Sequence, residues 1–168
     1  MIREILTGAA SGAAGTTALN TATYADMLLR GRGASQAPQQ LAERLSDAVD
    51  VPIPGDGSAN GTDTAHDNRA SALGALLGTA AGIGVGTLYG AARALPWKPP
   101  FPLAALAAGL GAMAASDLPM AALKVSDPRT WQRTDWLADL LPHLVYGTVT
   151  AAVYELTVPA GRFAVRDT

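Results

Sequence analysis

Residues 70–92 read ASALGALLGTAAGIGVGTLYGAA, a stretch without a single charge, bracketed by Arg69 and Arg93. A helix rises about 1.5 Å per residue, so this length crosses a hydrocarbon core of roughly 30 Å with some tilt. The stretch also places Gly74, Gly78, Gly82, Gly86 and Gly90 at strict intervals of four. On a helix that spacing makes one slowly drifting stripe of bare backbone. Another helix can approach closely there, and close approach is the main attraction available between helices in lipid. The stripe fits packing within one bundle first, and a homo-oligomer seam second.

Three further segments read as spans. The segment at about 102–125 contains Asp117, and Ala104, Ala108 and Ala112 repeat the four-residue interval. The segment at about 136–158 holds Asp139 and Glu155 near its ends and His143 inside. The segment at about 2–29 is rich in Gly, Ala, Thr and Ser, with Gly8, Gly12 and Thr16 at the same interval, Asn20 inside and Asp26 near its exit. Arg3 gives it a short basic start, but its apolar part is not leucine-rich and continues past any cleavage site. A retained helix is expected rather than a signal peptide. The fold class that follows is all-α: a four-helix transmembrane bundle with glycine and alanine packing faces, forming one membrane domain over residues 1–168.

Composition agrees. Charged residues make up 15% of the chain, against roughly 25% in a soluble domain. Aromatic residues are 5%, too few to supply the large rings of a water-soluble core. The net charge of −2 speaks against a nucleic-acid partner, and the absence of cysteine excludes disulfides and thiolate metal sites. Trp97, Trp131, Trp136, Tyr24, Tyr89 and Tyr154 lie near span ends, where rings with a polar edge favour the headgroup level.

Between the first two spans lies a loop over residues 30–69. Its first part, APQQLAERLSDAV at 37–49, sets Leu41, Leu45 and Ala48 opposite Glu43, Arg44 and Asp47. This predicts a short amphipathic helix, lying on the membrane surface or capping the bundle. The turn-rich stretch that follows has no periodicity and reads as irregular. Its Asn60-Gly61-Thr62 sequon says little outside a eukaryotic secretory context.

Four spans put both termini and the second link on one side, with Arg3, Arg93, Lys98, Arg162 and Arg166. The other side takes Arg30, Arg32, Arg44, Arg69, Lys124, Arg129 and Arg133, together with most of the acids. The count of bases favours neither side strongly. The expectation is a multi-pass protein of the plasma (inner) membrane with cytoplasmic termini and the lipid bilayer as its partner.

Alternating helix direction brings the polar residues of the spans to one depth. Asp117 follows roughly 22 Å of helix, while Asp139 and His143 come early in a span running back, four apart on one side. Asn20 and Tyr24 come late in the first span. Pro119 and Pro142 sit beside this layer, and each removes a backbone donor. Ionisable groups in a bilayer are costly and face a bundle interior or a wet cavity, and interrupted helices beside them mark binding sites. Asn20, Tyr24, Asp117, Asp139 and His143 are therefore the candidate ligand-binding residues. The competing reading is structural: Asp117 ends its helix, Asp135 or Thr134 caps the last one, Asp127 caps a short surface helix before Pro128, and His143 bonds a neighbour. No cofactor is expected. One intramembrane histidine with scattered acids is a poor metal set.

The stretch DLPMAALKVSDPRTWQRTDWLADLLPHLVYGTVTAAVYE at 117–155 resembles the closing segment of the uncharacterised YagU-like inner-membrane proteins. The likeness rests on Pro119, Trp131 and His143-Leu144-Val145-Tyr146. The GAAGTTALN opening is similar to that of small actinobacterial membrane proteins. The resemblance implies membrane placement and no activity.

Two functions compete. One is a non-enzymatic bundle binding a small solute, ion or lipid at the polar layer, or supporting a membrane complex. The alternative is an intramembrane enzyme acting on a lipid phosphate, with Asp26, Asp127, Asp135 and Asp139 holding Mg²⁺ and Lys124, Arg129 and Arg133 on the phosphates. No acid-rich lipid-transferase signature, Ser-His-Asp order, Walker loop or dinucleotide fingerprint accompanies it.

Overall fold

The computed structural model describes residues 1–57, 63–96 and 98–158. Among them the chain is all-helical: α1 (Ile2–Arg30), α2 (Ala37–Ala48), α3 (Thr64–Arg93), α4 (Phe101–Ala122) and α5 (Arg133–Thr157), with a 3₁₀ turn at Pro128–Thr130. Trp97, the Asn60-Gly61-Thr62 sequon and the tail arginines Arg162 and Arg166 lie outside the described residues.

Local chemistry sets the ends. Glu4 pairs with the terminal amine of Met1 over 2.5 Å, and Gly31 closes α1 in the left-handed conformation at φ 62°. The Asp63 carboxylate accepts the His66 amide and caps α3. Pro38 and Pro102 occupy first-turn positions that lack an intrahelical donor in any case. Gln132 and Asp135 form a reciprocal capping box at α5.

The four long helices form a ring. α1 lies between α3 and α5, and α4 closes the ring against α5 and α3, leaving α1 and α4 at opposite corners. Neighbours run antiparallel. Small residues allow the contact: Gly8 faces Gly90, Gly12 faces Gly86 and Thr16 faces Gly82 across α1–α3, while Gly147 lies against Ala105 and Gly109 across α5–α4. A Cβ on Gly12 would fall 2.7 Å from the Gly82 carbonyl oxygen. Here only glycine permits the approach. Ala104, Ala108, Ala112 and Ala151 are buried in the same interior.

The α3 stripe does not make one groove. Residues four apart advance about 40° around a 3.6-residue helix, so the glycines turn gradually away from α1. Gly82, Gly86 and Gly90 meet α1, and Gly74 meets the Pro38 backbone of α2. Gly78 falls between them, with nothing within 4 Å of a Cβ placed on it. In α1 the same drift carries Asn20 and Tyr24 off the buried face, and both are exposed. The glycine contacts between them therefore join the first half of α1 to the second half of α3.

α2 forms where expected and rests on α3, burying Leu41 and Ala42. Leu45 is half-buried and Ala48 exposed, so its apolar face is narrower than the spacing implied.

Two helices, α3 and α4, are long and apolar enough to cross a membrane. Only 17% and 28% of their most apolar windows are buried inside the protein, whereas the core helix of a soluble domain is mostly covered. Leu73, Leu76, Leu77, Leu88, Leu103, Leu106 and Leu110 all face outward.

Candidate functional site: a carboxylate–histidine layer between α4 and α5

The chemistry gathers at the end of the ring that carries α2. Asp117 and Ser116 sit on α4, one turn before its close. Asp139 and His143 sit one turn apart on α5. Gly109 lets α5 come close: a Cβ there would meet the His143 carbonyl oxygen at 2.7 Å. His143 is buried, and its Nδ1 lies 2.8 Å from the Asp139 carbonyl oxygen and 3.5 Å from Asp139 Oδ2. A carbonyl can only accept, so Nδ1 carries the proton in this arrangement. Nε2 then points across the seam to the Ser116 hydroxyl at 3.4 Å. Ser116 Oγ also donates to the Met113 carbonyl at 2.9 Å and lies 3.3 Å from Asp117 Oδ1.

The two carboxyl groups interact across the seam, and Asp117 also acts on the imidazole. Asp139 Oδ2 is buried and faces two neighbours, the imidazole Nδ1 at 3.5 Å and the Asp117 carboxyl. Pro119 lies inside α4 and Pro142 inside α5. Each removes one intrahelical donor beside the layer, leaving a carbonyl a turn earlier to find another partner. Carboxylates, an imidazole, a hydroxyl and freed carbonyls are together an acceptor-rich set, suited to a cation or a proton.

Of the sequence candidates, Asp117, Asp139 and His143 come together. Asn20 and Tyr24 do not join them: Tyr24 is 65% exposed and Asn20 also faces outward, because the four-residue interval leaves the buried face of α1. Ser116 escaped the sequence reading, although it directly precedes Asp117.

The acids of the lipid-phosphate alternative are held apart by other partners. Asp26 accepts from Arg32 at 2.6 Å. Asp127 accepts from Arg129 and caps the 3₁₀ turn, and the Arg129 guanidinium holds its carboxyl below the usual carboxylate range. Asp135 accepts the Gln132 amide.

A second polar group closes the opposite end. Arg93 Nη2 lies 3.8 Å from Glu155 Oε1, and the guanidinium covers the Tyr154 ring at 5.8 Å from its centroid. Tyr89 meets Tyr154 edge to face at 5.3 Å. Both rings are buried, which corrects the expectation that they belong to an outward aromatic belt. Facing small residues leave room for them inside.

No known protein family, curated protein or solved structure matches this chain.

Proposed function

We propose that this chain is a multi-pass membrane protein whose four long helices span the bilayer, and that it binds a small cation or proton at the Asp117–Asp139–His143 layer. The observation that carries the reading is the facing of two carboxyl groups across the α4–α5 seam, with Asp139 Oδ2 buried 3.5 Å from His143 Nδ1 and opposed by Asp117. Two negative groups facing each other in a low-dielectric setting favour a bound positive charge. Among the described residues eleven of the thirteen acids, but seven of the ten bases, belong to this end, so the local field draws cations toward it. The exposed leucines on α3 and α4 and the glycine contacts between helices support membrane placement. Cytoplasmic termini, a plasma-membrane location and kinship with the YagU-like proteins belong to the same proposal.

The test uses purified protein in liposomes loaded with a pH- or cation-sensitive dye. Wild-type protein is expected to bind or move H⁺, Na⁺ or K⁺. Asp117→Asn and His143→Gln should each reduce that signal at least about tenfold. Equal signals from wild type and both variants would remove the layer from the function. Quantitative recovery of the protein in the aqueous fraction without detergent would remove the membrane reading itself.

A further inference from the structure

Away from the layer, three potential ligands meet where α2 touches the first turn of α3. Glu43 comes from α2, and His66 and Asp67 are adjacent on α3. One ligand atom from each lies within 4.8 Å of the other two. His66 Nδ1 and Asp67 Oδ1 are 3.6 Å apart, too far for a hydrogen bond. That separation is close to the spacing of two donors around one ion: bonds of about 2.0–2.1 Å at a tetrahedral centre put neighbouring ligand atoms about 3.3 Å apart. Neither the intramembrane His143 with its scattered acids nor the Mg²⁺ set of Asp26, Asp127, Asp135 and Asp139 includes this group.

The surroundings add three arguments. The Pro38 backbone lies on Gly74, so α2 is held against α3 by backbone contact rather than by Glu43. The ligands are thus brought together by packing, and the two carboxylates meet at a distance where like charges repel. Asp63, the adjacent acid, is already used, its carboxylate accepting the amides of His66 and Asp56. Finally, Glu43 and His66 are half-buried while Asp67 is exposed, so the group is open to an ion from water on one side and backed by protein on the other.

We propose that Glu43, His66 and Asp67 bind one divalent transition-metal ion of the Zn²⁺ type, with water completing its coordination. One imidazole among carboxylates selects such ions over Ca²⁺ and Mg²⁺, which take all-oxygen sets. The ion fastens α2 to the start of α3. The acids of that turn offset the repulsion that a helix N-terminus exerts on a cation.

The experiment is titration of the purified full-length protein in detergent with Co²⁺, read by visible absorption, and with Zn²⁺, read by calorimetry. One equivalent is expected, with a cobalt spectrum typical of mixed nitrogen and oxygen ligands. His66→Gln and Glu43→Gln should each weaken binding at least about tenfold, while Glu155→Gln, at the opposite end of the ring, leaves it unchanged. Helical circular dichroism of the variants confirms folding, and amide exchange in α2 should slow when Zn²⁺ is added to wild type. Binding that survives His66→Gln, or that follows Asp117→Asn instead, would overturn the assignment, and so would no uptake by wild type at millimolar Co²⁺. The liposome assay at Asp117 and His143 reads a different site, so failure of either proposal leaves the other standing.

Discussion

The phenolic oxygen of Tyr146 on α5 donates to the carbonyl of Gly82 on α3 over 2.6 Å, across the diagonal of the ring. Its ring lies between Gly15 and Gly82: a Cβ on Gly15 would meet it at 2.9 Å, and one on Gly82 at 3.5 Å. Tyr146 is fully buried. It fills the centre that two glycines leave open and ties together helices that are not neighbours. Tyr146→Phe keeps the ring and loses the bond, and should cost about 1 kcal/mol of stability. Tyr146→Ala leaves a cavity as well and should cost about 3–5 kcal/mol. Thermal or denaturant unfolding in detergent separates the two. Equal losses would mean that the hydroxyl contributes nothing.

Gly86 and Gly78 stand on the same stripe and should respond oppositely to alanine. A Cβ on Gly86 would fall 2.7 Å from the Gly12 amide nitrogen, whereas one on Gly78 meets nothing within 4 Å. Gly86→Ala must push α1 and α3 apart and should destabilise by about 1–3 kcal/mol. Gly78→Ala only gains helix propensity and should stabilise by up to about 1 kcal/mol. The same unfolding assay reads both. If Gly78→Ala is the more harmful, a second copy or a ligand packs on Gly78.

Leu76 on α3 is 64% exposed. If that surface faces lipid, Leu76→Arg should oppose membrane insertion by about 2.5–3.5 kcal/mol and lower the fraction resistant to alkaline extraction. Leu29, at the end of α1 and 85% exposed, should accept arginine with little effect. Similar behaviour of the two variants would count against a bilayer around α3.

The Asp63 carboxylate is held below its ordinary value of 3.8 by the backbone amides of His66 and Asp56. A depressed value in the folded state means that the charged cap stabilises above the unfolded value and is lost as pH falls through the lower folded one. The cap should therefore be intact at pH 7 and fail below about pH 4. Asp63→Ala should speed amide exchange at His66 several-fold at neutral pH. That difference from wild type should vanish in acid, where wild type has lost its cap too.

The positions of the long helices and of α2 could be read directly from apolar length and spacing. Charge-free runs and a pair of prolines near the polar layer are local signals, and so were Asp139 and His143, which are four apart on one helix. What escaped was rotational. Whether Asn20 and Tyr24 face inward depends on accumulated helical phase, not on depth, and depth was the only coordinate that counting along the chain supplied. Tyr89 and Tyr154 have the composition of headgroup residues but pair inside, a contact between distant segments that no local pattern carries. The Glu43, His66 and Asp67 group was hidden for the same reason, since it exists only once α2 docks.

The mismatch between a four-residue repeat and a 3.6-residue turn sets how long two helices stay together. A stripe that precesses stays in phase with one partner for about three repeats and then passes to the next, so α3 engages α1 with one half and α2 with the other. At the changeover Gly78 faces outward, with nothing packed on it. A repeat usually taken as glue thus also fixes where one partner gives way to the next, and inserting one residue between Gly78 and Gly82 would swing Gly74 about 100° away from α2.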